Sequence, residues 1–187
     1  MPVRSVTINL TLGGQQNPDN TVGNTSLYPN NLTIAYSLAS SAPPGTATIV
    51  QPDGDIDLTL LGSGPGWTPE ADIYFNICGQ ILGTDKNPYY PRWAKPNETS
   101  GDPKQVGFCW LVVSETDDTV LPWPPGMATR QVPPTRVPNQ PQQVLIDDNR
   151  QGGNEYVYCL GVCFDNLPGH VGNYYYLTFD PKLVVPG

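Results

Sequence analysis

Proline and glycine interrupt this chain so often that no long helix can form in it. The 187 residues include 22 prolines and 19 glycines. Proline removes a backbone donor and clashes with the preceding helical turn, and glycine loses more conformational entropy than other residues when it is fixed inside a helix or strand. Between these interruptions lie short segments in which apolar and polar residues alternate. The spacing therefore predicts an all-β fold with long Pro/Gly-rich loops.

The segments between the interruptions carry the patterns of strands. Three of them alternate strictly, as strands with one buried face do: Ser5–Leu12, Leu32–Leu38 and Asp55–Leu61. Three more indicate strands covered on both sides, and two close the chain: Asp72–Leu82, Phe108–Val113 and Tyr156–Phe164, then Tyr174–Phe179 and Lys182–Val185. We predict one domain, residues 1–187, folded as an antiparallel β-sandwich (Ig-like or jelly-roll-like) of roughly 8–10 strands.

Three loops separate the predicted strands, at residues 13–31, 83–107 and 122–141. Unstructured loops longer than about 12–15 residues are uncommon in compact domains and are usually functional or flexible. The third loop is rich in proline, which favours an extended polyproline-II crossover between the two sheets. We therefore expect whatever is distinctive about this protein to lie in its loops.

The charge of the chain argues against two classes of partner, nucleic acids and anionic membranes. It carries 9 basic and 17 acidic residues, a net charge of −8. Nucleic-acid binding and attraction to anionic membranes both need clustered Lys and Arg, and no basic stripe occurs here. No apolar run follows Met1, and none approaches the ~18 residues of a membrane span. We therefore expect a cytoplasmic protein that binds neither nucleic acid nor membrane.

The sequence contains few residues in patterns that indicate catalysis. His170 is the single histidine, in a Pro-Gly-His turn, and no Gly-x-Ser-x-Gly elbow accompanies it. A small hydrolase is left as an alternative, using His170 or a carboxylate pair drawn from Asp53, Asp55, Asp117, Asp118, Asp147 and Asp148. No feature of the sequence favours one pair of these carboxylates over another. We expect a protein that is not an enzyme and has no cofactor.

The four cysteines lie in apolar segments and are expected to be buried free thiols. They are Cys78, Cys109, Cys159 and Cys163. Cys159 and Cys163 would lie ~13 Å apart along one strand, beyond disulfide reach. A bridge from either of them to Cys78 or Cys109 across the sheets is the alternative.

Three aspartates form a weak candidate for a calcium site. Asp53, Asp55 and Asp57 lie in the segment Pro-Asp-Gly-Asp-Ile-Asp, which lacks the glycine and glutamate positions of an EF-hand loop. The competing interpretation is a turn at Asp53-Gly54 with solvated carboxylates behind it.

The most suggestive binding patch is the aromatic segment at residues 87–93. It contains Tyr89, Tyr90, Arg92 and Trp93 between prolines. Flat apolar rings with hydrogen-bonding groups at their edges suit sugars and protein hot spots. These four residues are our candidate ligand-binding site for a carbohydrate, with calcium at Asp53–Asp57 as a candidate assistant. The alternative is that the rings fold back over the end of the sandwich.

The end of the chain resembles a known family. Residues Gly172–Val185 form an aromatic segment, an Asp-Pro step and a short apolar segment, and they resemble the closing strands of the AidA/PixA-type bacterial inclusion-body proteins. The opening alternating strand and the stretch Gly54–Leu58 are also similar, whereas the four cysteines and the proline-rich loop are not. The resemblance implies a cytoplasmic β-sandwich that accumulates in dense bodies and does not catalyse. Together with the sparse charge it predicts a self-associating homo-oligomer.

Overall fold

The computed structural model describes residues 1–45, 47–62, 65–68, 70–94, 109–113, 131–132, 135–148, 155–170, 174–179 and 182–184. Within these ranges the chain forms fourteen strands and two short 3-10 helices. The strands are β1 (Arg4–Gly14), β2 (Leu32–Ala42), β3 (Ile56–Asp57), β4 (Ala71–Gly79), β5 (Ile81–Leu82), β6 (Pro88–Tyr89), β7 (Arg92–Trp93), β8 (Cys109–Val113), β9 (Gln131–Val132), β10 (Thr135–Arg136), β11 (Gln143–Asp148), β12 (Glu155–Asp165), β13 (Tyr174–Phe179) and β14 (Lys182–Val184). The 3-10 helices are Ala47–Ile49 and Leu58–Leu60. The prediction of an all-β fold is confirmed.

The first sheet has five strands in the order β10-β11-β4-β1-β2. Its centre is formed by β1 and β4, which run parallel to each other, while the other neighbours in the sheet are antiparallel. A purely antiparallel architecture is therefore wrong. The reason is that the chain leaves β2 and crosses over to the far side of β1, so that β4 starts from the same end as β1.

The second sheet has seven strands and is organised around β12. One edge of β12 pairs with β14 and then β13, and its other edge pairs with β8 and then β7. The remaining two strands extend the sheet, β3 parallel to β14 and β9 antiparallel to β8. A separate two-stranded sheet is formed by β5 and β6.

One cluster of buried apolar side chains draws on both large sheets. It includes Val6, Ile8, Leu10 and Leu12 of β1, Ile73 and Phe75 of β4, Trp93 of β7, and Leu160, Val162 and Phe164 of β12. In β1 the buried residues alternate with half-buried or exposed polar ones, as the sequence predicts. Burial on both faces is confirmed for residues 160–164 of β12.

The pattern of β4 differs from the prediction that both of its faces are covered. Its buried residues alternate with half-buried or exposed ones, so that only one face belongs to the core. On the other face a ladder of amides crosses three strands: Asn76 donates to Asn9 (3.1 Å) and accepts from Gln143 (2.7 Å). The ladder covers this face with hydrogen-bonded polar groups, so it needs no second apolar layer.

The segment Asp55–Leu61 is not one strand. It is extended only at Ile56–Asp57 and then turns into a 3-10 helix, because the Asp57 carboxylate accepts hydrogen bonds from the backbone N–H (2.9 Å) and the hydroxyl of Thr59. Such a cap competes with the extended conformation. Leu60, predicted to point inward, is 40% exposed as a result.

The other predicted strands are found close to their expected bounds. These are Phe108–Val113, Tyr174–Phe179 and Lys182–Val185, which correspond to β8, β13 and β14. The two later loops are less irregular than predicted, because residues 83–107 contain β6 and β7, and residues 122–141 contain β9 and β10. The polyproline-II interpretation falls largely on residues 122–130 and 133–134, outside the described part. No helix among the described residues is long and apolar enough to cross a membrane.

Candidate functional site

The short hairpin formed by β5 and β6 carries the two tyrosines of the candidate site. Its turn is closed by two hydrogen bonds, from Gly83 N–H to the Asn87 carbonyl (2.8 Å) and from Lys86 N–H to the Gly83 carbonyl (2.9 Å). Ile81 pairs with Tyr89, and Leu82 pairs with Pro88. Ile81 is fully buried and Tyr89 packs against the core, so this pair anchors the hairpin.

The outer face of the hairpin is apolar and exposed. Leu82 is 40% exposed, its pairing partner Pro88 is exposed, and Tyr90, which follows β6, is 65% exposed. We call Leu82, Pro88 and Tyr90 the apolar strip. An exposed aromatic ring among aliphatic groups offers a flat surface on which a ligand can stack.

Asp85 organises the polar end of the hairpin. Its carboxylate accepts hydrogen bonds from the Asn87 backbone N–H (3.0 Å), the Asn87 side-chain amide (2.9 Å) and the Tyr89 hydroxyl (2.9 Å). Hydrogen bonds to the charged form favour ionisation, so those from Asn87 above all lower the pKa of Asp85 below its usual value. The same carboxylate raises the pKa of the Tyr89 hydroxyl. At neutral pH the hairpin therefore presents a carboxylate beside the apolar strip.

The side chains of Arg92 and Trp93 make contacts with other elements of the fold. Arg92 makes a bidentate ion pair with Asp165, with Nε–Oδ2 and Nη2–Oδ1 distances of 2.7 Å each. Trp93 is fully buried, and its Nε1–H donates to the carbonyl of Gln142 (2.8 Å). The expectation that Trp93 forms part of an exposed binding patch is wrong, because β7 pairs with the central strand β12 and turns this ring into the core.

A buried glutamine that the sequence analysis did not single out holds three loops together. Gln16 is 3% exposed, and its amide nitrogen donates to the carbonyls of Asn20 and Pro168 (2.8 Å each). Its amide oxygen accepts from the Thr84 N–H (3.1 Å). Because all three contacts are made by one buried amide, the hairpin turn is held rigidly against its two neighbouring loops. A glutamine in a polar, glycine-rich loop gives no sequence signal of burial.

Asn17, the neighbour of Gln16, holds its own loop together through side-chain hydrogen bonds. It is fully buried, and its side-chain amide donates to the Thr21 hydroxyl (2.8 Å) and the Gly23 carbonyl (3.0 Å). Its side-chain oxygen accepts from Asn31 (2.8 Å). The loop that the sequence predicts at residues 13–31 is therefore an ordered one, although its first two residues belong to β1.

His170 contributes to the same loop cluster. One ring nitrogen, Nε2, lies 2.9 Å from the Asn20 carbonyl oxygen, and the ring makes an edge contact with Tyr175 at 5.0 Å between centroids. The backbone N–H of His170 closes the preceding turn on Leu167 (2.8 Å). These contacts explain the position of His170 structurally, as a residue that joins two loops.

Two of the three aspartates of the calcium hypothesis, Asp53 and Asp57, accept hydrogen bonds from residues close to them in the chain. Asp53 accepts from the Asp55 N–H (3.2 Å), and Gly54 N–H donates to the Gln51 carbonyl (3.0 Å), so the predicted turn is present. Asp57 caps the 3-10 helix. In the part of the chain that the structure describes, no three His, Cys, Asp or Glu residues are placed to hold a metal ion. Asp117 and Asp118 lie outside this part, and Asp147 and Asp148 are described only as backbone in β11.

Two of the cysteines are described, and both are free thiols. Cys163 is buried, as predicted. Cys78 is exposed, contrary to the prediction, because it lies on the outer face of β4, where its sulfur contacts the Thr11 hydroxyl (3.1 Å). The side chains of Cys109 and Cys159 lie outside the described residues.

A second surface stands out at the edge of the five-stranded sheet. The edge strand β2 is eleven residues long, and among the described strands it pairs with β1 alone. Its sequence, LTIAYSLASSA, has no charged residue and no proline. The core-facing residues Tyr36 and Leu38 are half-buried and Ile34 is 36% exposed, whereas their partners in β1 are fully buried. The start of this edge is closed by the Asn24 side chain, which accepts from the Leu32 N–H (2.9 Å) and donates to the Leu32 carbonyl (3.0 Å). The strand is long, and the side chains of Ile34, Tyr36 and Leu38 are incompletely covered.

Comparison with known proteins adds no assignment. No protein-family model matches the chain, and a search of curated proteins finds no significant match.

Proposed function

We propose that this protein is a non-enzymatic, self-associating protein of the cytoplasm, built as a β-sandwich like the AidA/PixA-type inclusion-body proteins. The observation that carries the proposal is the edge strand β2. Proteins that stay monomeric protect an edge strand with charge, proline, brevity, β-bulges or a cover, and of these β2 has one bulge, at Ala39. The eleven residues of β2 carry no charge and no proline, so the strand beyond Leu32, which the Asn24 side chain caps, is a template for another strand.

Two further observations support parts of this proposal. The apolar cluster that both large sheets share within the described part of the chain is what a sandwich core requires. Free thiols at Cys78 and Cys163 suit a reducing compartment, where disulfides are rare. The resemblance of the closing strands to the inclusion-body proteins agrees with both.

The test is the mass of the protein in solution as a function of concentration. We expect light scattering after size exclusion, and sedimentation velocity, to give a dimer or larger species whose fraction rises with concentration. A strict monomer at the highest soluble concentration contradicts the proposal.

A second candidate is carbohydrate binding at the hairpin, which the 65% exposure of Tyr90 favours. The apolar strip supplies a stacking surface, and the polar groups of Asp85 and Asn87 lie at its end. Sugar sites combine such a flat face with hydrogen-bonding groups. This candidate site differs from the one predicted from sequence. Leu82 and Pro88 belong to it, whereas the buried Trp93 does not.

Glycan binding is tested by screening a glycan array with and without calcium. Binding should be lost in Tyr90→Ala and weakened in Leu82→Ala. Leu60→Ala is the matched control, because Leu60 has the same 40% exposure as Leu82 but belongs to the 3-10 helix at Leu58–Leu60. Silence of the unmodified protein in both screens ends this candidate, and a calcium requirement would return attention to Asp53, Asp55 and Asp57.

A further inference from the structure

We infer that a glycan bound at the hairpin continues across the outer face of the five-stranded sheet, so that the ligand is a linear, uncharged oligosaccharide. The inference rests on the second candidate function, carbohydrate binding at the hairpin, and adds the extent of the site and the class of glycan. It joins two features of the molecule, the apolar strip and the ladder formed by the side-chain amides of Asn9, Asn76 and Gln143.

The hairpin and β4 share this outer face. Side chains alternate between the two faces of an extended backbone, and Ile77 and Ile81 are buried in the core. The exposed Cys78, Gln80 and Leu82 therefore all lie on the opposite face. The surface that begins at the apolar strip thus continues past the end of the hairpin onto β4.

Strand β1 and the residues that follow it form the second row of this face. The neighbouring pairs across the two rows are Asn9 and Asn76, Thr11 and Cys78, and Gln15 and Leu82. From Asn9 to Gln15 the row is ~20 Å long at ~3.3 Å per residue, which leaves room for several sugar units. We call the polar members of the two rows the polar track: Asn9, Thr11, Gln15, Asn76, Cys78 and Gln80.

The polar track offers hydrogen-bonding groups that the described part of the chain leaves unused. Within that part, the Asn9 amide nitrogen and the exposed Gln80 amide have no hydrogen-bond partner. The Gln15 amide oxygen is also unpaired there, although its nitrogen donates to Asn31 Oδ1 (3.4 Å). A sugar hydroxyl both donates and accepts, so it can bond to each of these groups. The polar track therefore supplies hydrogen bonds that the apolar strip lacks.

The absence of charge along this surface selects the class of ligand. The polar track and the apolar strip contain no charged residue, although the chain carries 9 basic and 17 acidic residues. An acidic glycan would find no cation on either surface and would meet a protein of net charge −8. A peptide is disfavoured as well, because peptides that join a sheet pair with the backbone of an edge strand and not with a face. A neutral chain of sugar units, with flat faces and many hydroxyls, fits both the strip and the track.

The first test varies the length and the charge of the glycan. The probes are cello-, chito- and manno-oligosaccharides of two and six units, with a galacturonate oligomer of six units as the charged probe, titrated by calorimetry. We expect the hexasaccharide of a neutral series to bind about tenfold or more tightly than its disaccharide, because each added hydrogen bond strengthens binding by about two- to tenfold.

The other outcomes of this titration separate the two carbohydrate proposals. If a disaccharide and its hexasaccharide bind equally, the extension is wrong and the hairpin site stands. Tighter binding of the galacturonate oligomer than of the neutral probes overturns the uncharged class. No binding of any probe overturns the inference, and a silent glycan array ends the hairpin candidate as well.

The second test blocks the polar track. Thr11→Glu places a bulky charge in its middle, and we expect the affinity for the hexasaccharide to fall about tenfold or more while that for the disaccharide stays within about twofold. Ser40→Glu is the matched control, because Ser40 is exposed on the same face, beside Thr7 and outside the track. It should leave both affinities within about twofold of the parent.

Two alanine variants complete the test. Asn9→Ala should weaken the hexasaccharide alone, by about fivefold, because it removes one donor of the track. Tyr90→Ala should weaken both probes, since the hairpin binds either of them. Equal losses for Thr11→Glu and Ser40→Glu, or equal losses of the two probes in Thr11→Glu, would overturn the extension.

Discussion

Replacing Trp93 tests the distinction between the buried and the exposed aromatic residues of the segment at 87–93. Trp93 is fully buried in the cluster shared by both sheets, while Tyr90 is 65% exposed. Removing a buried Trp side chain to Ala costs about 3–5 kcal/mol, through lost burial and the cavity left behind. Truncating an exposed side chain such as Tyr90 changes the free energy of unfolding by only about 0.5 kcal/mol.

We expect the loss of unfolding free energy in Trp93→Ala to lie near the middle of this range of about 3–5 kcal/mol. The ring spans the core from β7, and its Nε1–H hydrogen bond to the Gln142 carbonyl is lost as well. A net hydrogen bond contributes about 1 kcal/mol, but Gln142 is an exposed residue, and water can replace part of the lost bond. We therefore expect a loss of about 4 kcal/mol, a large share of the 5–15 kcal/mol that stabilises a domain.

The measurement is urea unfolding followed by far-ultraviolet circular dichroism. With a dependence of about 2 kcal/mol per molar urea, Trp93→Ala should lower the midpoint by roughly 2 M, and Tyr90→Ala by less than about 0.3 M. If Trp93→Ala fails to fold, Trp93→Phe keeps most of the burial and should lower the free energy of unfolding by about 1–2 kcal/mol. A loss below 1 kcal/mol for Trp93→Ala, or equal losses for the alanine variants of Trp93 and Tyr90, would refute the burial of this ring.

Two further predictions concern backbone conformation and pH. Gly79→Ala should cost more than about 1 kcal/mol in thermal unfolding, because the φ angle is +89° and the new Cβ would lie 2.0 Å from the Leu12 carbonyl oxygen. Gly66→Ala, with φ +110° and nothing within 4 Å, should cost less, and equal losses would exclude the clash as the cause. For Asp85, whose pKa is lowered in the folded state, the hydrogen-bonded carboxylate stabilises the fold above its usual pKa, and this contribution is lost as the pH falls through the lowered value. Asn87→Ala removes one of the donors and should raise that pKa in a carboxyl NMR titration; an unchanged value contradicts the assignment. The pKa of Tyr89 is raised, so its contribution is present below the usual tyrosine pKa and is lost as the pH rises through the raised value, which tyrosinate absorbance would follow.

The sequence predicts the strands well where burial follows a strict period. In β1 every second residue is apolar and every second residue is buried, so the pattern alone identifies both the strand and its inner face. The start of β2 is also predicted correctly at Leu32, although the strand continues to Ala42 and not only to Leu38. These features are local, and a local pattern is enough to predict them.

The candidate site is predicted only in part, because its geometry depends on distant pairings. Nothing in the segment at 87–93 indicates that Trp93 pairs with Val162 while Tyr90 is left in solvent. The segment Asp55–Leu61 was also predicted incorrectly from its pattern. The Asp57 side chain caps a 3-10 helix there, although apolar and polar residues alternate as in a strand. Cys78 is exposed because it lies on the same outer face of β4 as the amide ladder of Asn9, Asn76 and Gln143, and no apolar layer was required there. Periodicity reports which residues prefer burial, but not which strand lies next to them.

The pairing of β3 with β14 has a consequence for how the protein is made. Ile56 lies opposite Leu183. The strand β3, in the first third of the chain, can therefore pair only after β14, near the end of the chain, has been synthesised. By contrast β1, β2 and β4 all lie within the first 79 residues and can pair early. Joining distant segments costs loop entropy before their contacts are gained, which slows folding. On the ribosome we therefore expect the five-stranded sheet to start first and the seven-stranded sheet to form last, around β12. During that interval the nascent chain carries unpaired strands, so slower synthesis or lower temperature should raise the yield of soluble protein.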